Sequence, residues 1–180
     1  HDDANALEEA LKIKDMYPDT HITVITMGPP QAKDMLIECM AMGADEGILA
    51  SDRALGGSDT WATSNALAAV IEKIGEYDII FAGRQAIDGD TAQVGPQIAE
   101  TLGIPQVSYV EEIYDIEDGN KVIVKRQYED RYHIIEVKMP CLLTALTELA
   151  DPRYMHAGGI IDAYEKEIPV IGYEDLKDDL

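Results

Sequence analysis

Between Phe81 and Pro105 the chain reads FAGRQAIDGDTAQVGPQIAETLGIP, a run whose residue types suit the capture of a phosphate. The apolar stretch Asp78-Ile79-Ile80-Phe81-Ala82 predicts a strand that delivers the backbone to Gly83. A polar loop with a second glycine, Gly89, follows. From Thr91 a helix is expected, with Val94, Ile98 and Leu102 at the helical spacing and Gly103 with Pro105 as its stop. The first amides of a helix lack intrahelical partners and sit at the positive end of its dipole. Strand end, loop and helix start therefore make an anion site, and glycine lets the backbone come close to the anion. Asp88 and Asp90, two residues apart, would act as an acid–base pair only with a substrate between them. Their expected role is to cap the helix and to accept bonds from a ribose or from loop amides.

A second group of polar residues lies at Gly56-Gly57-Ser58-Asp59-Thr60-Trp61-Ala62-Thr63-Ser64. Ser58 or Asp59 reads as the cap of a helix that buries Leu67, Val70, Ile71 and Ile74. Thr60, Thr63 and Ser64 set hydroxyls around its first turn. Two helix starts of this kind suit a pyrophosphate and a ribityl chain. Other chemistries lack their residues. There is no Ser-His-Asp constellation and no GxxxxGK(S/T) loop, so triad hydrolysis and Walker-type ATP use find no support. Cys39 and Cys141 belong to no CxxC pattern and have no histidine at metal spacing, so two reduced thiols and no metal centre are expected. His156, in a Gly-rich loop, reads as loop packing, and no catalytic residue is assigned.

These groups need a scaffold. The pattern predicts helix over Ala4–Met16, strand over Ile22–Thr26, helix over Pro30–Met42 and strand over Glu46–Ala50. Helix over Thr60–Ile74, strand over Asp78–Ala82 and helix over Thr91–Leu102 follow. Such alternation builds a parallel sheet with helices on both faces, so the fold class is α/β. Past Pro105 the segments Gln106–Ile116 and Lys121–Glu129 alternate apolar and polar residues around Asp118-Gly119-Asn120, a hairpin signal. With Tyr132–Met139 and Cys141–Leu146 they are expected to form an antiparallel insertion over residues 106–146. The remainder reads as a loop, a polar helix and a short Ile-Pro-Val-Ile segment.

The 180 residues suit a single domain with a sizeable core. Fourteen Lys+Arg against 35 Asp+Glu give a formal net charge of -21. That charge repels a nucleic-acid backbone and an anionic membrane alike. Little basic charge is left to hold a nucleotide, so backbone amides and dipoles must do it. No apolar run nears the roughly 18 residues of a membrane helix and no secretory signal is visible, so a cytoplasmic setting is expected.

The letters of the first run say more than their chemistry. GRQAIDGDTAQVG resembles the nucleotide-binding segment of the β subunit of electron-transfer flavoproteins, Gly-Lys/Arg-Gln-Ala-Ile-Asp-x-Asp-x-x-Gln-x-Gly. Gly83, Arg84, Gln85, Ala86, Ile87, Asp88, Asp90, Gln93 and Gly95 fill every specified position. The resemblance implies a Rossmann-like, adenine-nucleotide-binding α/β domain in a heterodimer with a flavin-carrying α subunit. Cofactor contacts then fall on Gly83, Arg84, Gln85, Ala86, Asp88, Gly89, Asp90, Thr91, Gln93, Val94 and Gly95, with Met27, Asp59, Thr60 and Thr63. Housekeeping members hold AMP, and electron-bifurcating members hold a second FAD reduced by NADH. Val94-Gly95-Pro96 and the Asp-Thr-Trp-Ala-Thr-Ser run from Asp59 resemble the bifurcating branch, so FAD is expected. Ferredoxin or flavodoxin and an acyl-CoA dehydrogenase would be the acceptors. A non-redox module of the same fold that binds ATP or AMP stays open.

Leu149-Ala150-Asp151-Pro152-Arg153-Tyr154 is similar to the family's recognition loop, which docks on acyl-CoA dehydrogenases. Leu149 is expected as its exposed anchor, beside Pro152, Arg153 and Tyr154, with residues 147–164 as the partner-recognition loop. The chain departs from the family pattern at both ends. It opens on a helix, without the family's first strand and Lys-Gln-x-Pro-Asp loop, and lacks the C-terminal arm. It reads as a fragment of the β subunit that folds poorly alone, because the family's first strand lies mid-sheet.

Overall fold

The computed structural model describes residues 2–86, 89–117 and 120–180. Two compact units are formed, one by the chain up to Glu9 with Ile74–Pro152, the other by Ala10–Lys73 with Arg153–Leu180. Helix α1 (Asp2–Met16) gives its first turns to one unit and its last turns to the other.

In the second unit, β1 (Thr23–Met27) pairs in parallel with β2 (Glu46–Ala50), Thr23 opposite Glu46 and Met27 opposite Ala50. The far side of β2 takes the short strand β8 (Val170–Ile171), also parallel, so the Ile-Pro-Val-Ile segment closes this sheet. β2 is buried from Gly47 to Ala50, as an apolar strand covered on both faces should be. Helices α2 (Ala32–Met42) and α3 (Thr60–Ile74) supply most of the cover. Ile48, Ala50, Leu55, Ala66, Ala69, Val70 and Leu176 make one core cluster. α2 begins at Ala32 and not at Pro30, because Pro29-Pro30-Gln31 forms a turn whose carbonyls accept the amides of Ala32 and Lys33. Ile74, expected inside, is exposed, as is Met35 of α2; Leu36 and Met40 carry the packing of α2. Helices α5 (Ala157–Glu165) and α6 (Tyr173–Leu176) complete the unit.

The first unit holds β3 (Ile79–Gly83), α4 (Val94–Leu102), β4 (Gln106–Glu117), β5 (Lys121–Gln127), β6 (Tyr132–Lys138) and β7 (Cys141–Ala145). Its sheet runs β3-β7-β4-β5-β6. Among the described residues only β4, β5 and β6 pair antiparallel; β7, expected in the antiparallel insertion, runs parallel to both β3 and β4. The reason is burial. All five residues of β7 are buried, and a strand covered on both faces belongs in the middle of a parallel array. β4 leaves β7 through a register shift between Val107 and Val110, next to Tyr109 at φ 60, and continues against β5. The Asp118-Gly119 turn lies outside the described residues, although Asn120 N–H donates to Glu117 O at 2.8 Å. Val107, Val110, Val122, Val124, Cys141 and Leu143 lead the core, each such side chain contributing about 1.5–3 kcal/mol by burial.

The expectation was one parallel sheet carrying an antiparallel insertion; among the described residues the strands divide into a three-stranded parallel sheet and a five-stranded mixed one. Among the described residues β1 pairs only with β2 and β3 only with β7, so each of them ends its sheet.

Candidate functional site

β3 ends on Gly83, whose N–H donates to Asp3 Oδ1 at 2.8 Å. The strand-end amide thus receives an anionic oxygen, the kind of atom a phosphate presents. A Cβ on Gly83 would lie 2.6 Å from Asp3 Oδ1 and 2.7 Å from Asp3 N, so only glycine lets the first turn of α1 come this close. The Arg84 amide donates to Ala145 O at 3.0 Å, which ties the chain to β7 as it leaves β3. The Arg84 guanidinium stands 3.4 Å from the Asp2 carboxylate. Its Nε is shut off from solvent and makes no hydrogen bond, so the Asp2 carboxylate is what balances its charge.

The loop beyond folds on itself. Asp90 N–H donates to Ala86 O at 2.9 Å, and the Gln85 side-chain amide donates to Asp90 Oδ1. Asp90 and Ala92 have φ of 46 and 54, left-handed values for residues with side chains. Ala92 precedes Gln93, at φ -102 and ψ -32. A left-handed residue next to a right-handed one turns successive N–H groups toward one concavity, and such concavities take anions. Strain of this kind persists only where the surroundings enforce it, and it gathers at ligand sites.

The positive φ values also explain why α4 starts at Val94 and not at Thr91. Gln93 occupies the cap position without a side-chain bond, so neither Asp90 nor Thr91 caps the helix. Asp88, like Ile87, lies outside the described residues. Val94 and Gly95 offer amides in the first turn, and Pro96 has none. Gly95 is buried, and a Cβ there would lie 2.8 Å from Thr144 Cγ2, so this glycine seats α4 on β7. Thr144, itself buried, accepts the Tyr109 amide at 3.0 Å. Gln97 has a buried side-chain oxygen with no partner, which the sequence did not single out. A glutamine inside a helix carries no signal that would have marked it. The amides around the Ala92–Gln93 turn suit a phosphate or pyrophosphate group.

Met27, Asp59, Thr60 and Thr63 belong to the other unit. Met27 ends β1 and is half-buried against its core. Asp59, not Ser58, caps α3: its Oδ1 accepts the Ala62 amide at 2.8 Å. Thr60 and Thr63 are half-buried in the first turn, beside the exposed Trp61. The described residues between Gly83 and Gly95 lie in the first unit, and these four residues lie in the second.

The docking segment needs correction. Leu149, expected as an exposed anchor, is only 6% exposed and belongs to the core cluster of the first unit. The Asn5 side-chain amide donates to Thr147 O at 3.2 Å and to Ala150 O, 2.6 Å away, and this clamp accompanies the turn that holds Leu149 inward. Pro152 is exposed. Arg153 binds Asp15 at 2.8 Å, a bond that holds the Asp15 carboxyl below its ordinary value. Tyr154 is 96% exposed. His156 caps α5, its Nδ1 accepting the Gly159 amide at 2.9 Å. Met155, Ile161 and Tyr164 are exposed on and before that helix, whereas Ala163 is buried.

A model of the electron transfer flavoprotein domain matches residues 2–175. The chain is 63% identical over 175 residues to the caffeyl-CoA reductase-Etf complex subunit CarD of Acetobacterium woodii, covering 97% of this chain and 66% of that protein. It is 58% identical over 175 residues to the electron transfer flavoprotein subunit beta of Clostridium acetobutylicum, covering 97% and 66%. It is 54% identical over 181 residues to the acryloyl-CoA reductase electron transfer subunit gamma of Anaerotignum propionicum, covering 99% and 67%. The chain spans about two thirds of the length of these relatives. With almost its whole length matched, this chain belongs to the electron transfer flavoprotein domain family, among relatives that include a named β subunit.

Proposed function

We propose that this chain forms the nucleotide site of an electron-transfer flavoprotein β subunit and that the site takes FAD. With a flavin-carrying α subunit, the protein splits the electron pair of NADH between ferredoxin or flavodoxin and an acyl-CoA dehydrogenase. The observation that carries this reading is the left-handed Ala92 next to the right-handed Gln93 ahead of α4, in one segment with the strand-ending Gly83. Two relatives support the redox half, since their names set them beside reductases of caffeyl-CoA and acryloyl-CoA.

Bound FAD supplies the electron chemistry, and the protein supplies position and field. The amides from Gln93 to Gly95 grip phosphate oxygens without adding charge to an acidic chain. Arg84 contributes a directional donor, and Gly95 fixes the helix start those amides depend on. Tyr154, Met155, Ile161 and Tyr164 provide the partner-docking surface.

The absorption spectrum of the purified heterodimer tests the reading, together with identification of the nucleotide released on denaturation. Two flavins per heterodimer are expected. One flavin with released AMP would make this a carrier with structural AMP, and no flavin would leave a non-redox nucleotide module.

A further inference from the structure

We infer that His156 is a proton-operated clasp on α5, fixing the first turn of that helix, and with it the exposed Ile161 and Tyr164, only while its imidazole is neutral. What docks on those residues rests on the function proposed above; the clasp itself does not. The packing of α5 explains why its start needs one. A Cβ on Gly159 would lie 2.4 Å from the Ala41 carbonyl oxygen of α2, so only glycine lets the two helices come this close. Gly158 stands before it, and glycine is among the poorest helix formers. The turn is held instead by His156, whose Nδ1 accepts the Gly159 amide at 2.9 Å and whose carbonyl accepts the Ile160 amide at 3.1 Å.

Serine, threonine and asparagine, common caps, keep their acceptor oxygen at every pH; histidine does not. In the neutral ring the proton sits on Nε2 and Nδ1 accepts, whereas the imidazolium carries N–H on both nitrogens and accepts nothing. Its charge would also stand at the positive end of the α5 dipole. Among the described residues His156 makes no ion pair, so no carboxylate there holds such a charge in place. Of the charged groups on the elements around it, Glu38 is exposed on α2, Asp162 and Glu165 are exposed further along α5, and Arg153 is engaged by Asp15 at 2.8 Å. Imidazole is the side chain whose ordinary charge change falls between about pH 5 and about pH 8. The other histidine of this unit, His21, faces Glu46 at 3.2 Å and Asp45 at 3.9 Å, where a proton adds to ion pairs and opens nothing.

The test is hydrogen exchange on the heterodimer, with the full-length chain, read by mass spectrometry on peptides covering residues 154–165. Wild type is compared with His156→Ser, a cap that does not titrate, and with His156→Ala, which has none. Comparing the three at one pH removes the intrinsic pH dependence of exchange. Near pH 8 wild type should match His156→Ser, while His156→Ala exchanges about fivefold faster, the effect of a lost cap. Near pH 5 wild type should join His156→Ala, about fivefold faster than His156→Ser. Wild type that tracks the serine variant at both pH values, or the alanine variant at both, would overturn the inference. Titration of the dehydrogenase at the same two pH values separates the clasp from the docking role. Binding that weakens in acid for wild type but not for His156→Ser supports both. The expected exchange pattern beside unchanged binding in all three proteins supports the clasp and removes the docking role of α5.

Discussion

A methyl group added to Gly95 would meet the Thr144 side chain at 2.8 Å, whereas one added to Gly89 meets nothing within 4 Å. Both glycines read in the sequence as loop residues serving a ligand, yet Gly95 is first a packing residue between α4 and β7. Gly95→Ala should therefore destabilise the protein by about 1–3 kcal/mol through overpacking. Gly89→Ala should stay within about 0.5 kcal/mol of wild type. Denaturant midpoints of the two variants check this, and an unshifted midpoint for Gly95→Ala would mean that α4 can lift off β7 at no cost. The motif residues were legible because they lie within one short run. The Asp3 contact with Gly83 was not, since it joins residues 80 positions apart and nothing in the letters near either one announces the other.

At the scale of elements, α5 and the residues before it carry a prediction. Tyr154, Ile161 and Tyr164 are largely exposed while Ala163 packs inward, so the helix presents an apolar face that its own unit does not cover. If a dehydrogenase docks there, Ile161→Ser with Tyr164→Ala should weaken its binding by about thirtyfold, a hot-spot loss of about 2 kcal/mol, without changing the melting temperature. Titration of the dehydrogenase against the variant heterodimer reads this out; undiminished affinity would place the interface elsewhere. Leu149 misled the sequence reading because a lone leucine ahead of a proline turn looks the same exposed or buried. The Asn5 clamp on Thr147 and Ala150 decided it, and that clamp spans more than 140 residues. The start of α4 escaped for a related reason: no residue-type signal marks Asp90 or Ala92 as left-handed.

The whole molecule carries a formal net charge of -21, so self-repulsion opposes its compact state. Salt should relieve it: the melting temperature should rise as NaCl goes from about 10 mM to about 1 M, where the Debye length falls from about 30 to about 3 Å. A flat or falling series would show that local ion pairs outweigh the net charge. In acid, Asp45 acts in the opposite sense. Burial by itself would raise its carboxyl, but bonds from the Lys14 ammonium at 2.6 Å and the Ile22 amide at 2.8 Å hold it below the ordinary value. Its stabilisation is present above the unfolded-state value of about 3.9 and is lost as pH falls through the lower folded value. Asp45→Asn should therefore melt lower than wild type at neutral pH and show a smaller drop in acid.

The sequence by itself determined what depends on near neighbours. Strand Glu46–Ala50 and helix Thr60–Ile74 stand residue for residue where periodicity put them, and Gly103 ends α4 at φ 66. These rest on side-chain period, capping and a glycine stop, all settled within a few residues. Only the tertiary structure decided the parallel, central place of β7, the inward turn of Leu149, the Asp3–Gly83 contact and the left-handed pair before α4. Each needs a partner far along the chain or packing that holds a residue against its own preference, and neither leaves a local trace in the order of amino acids.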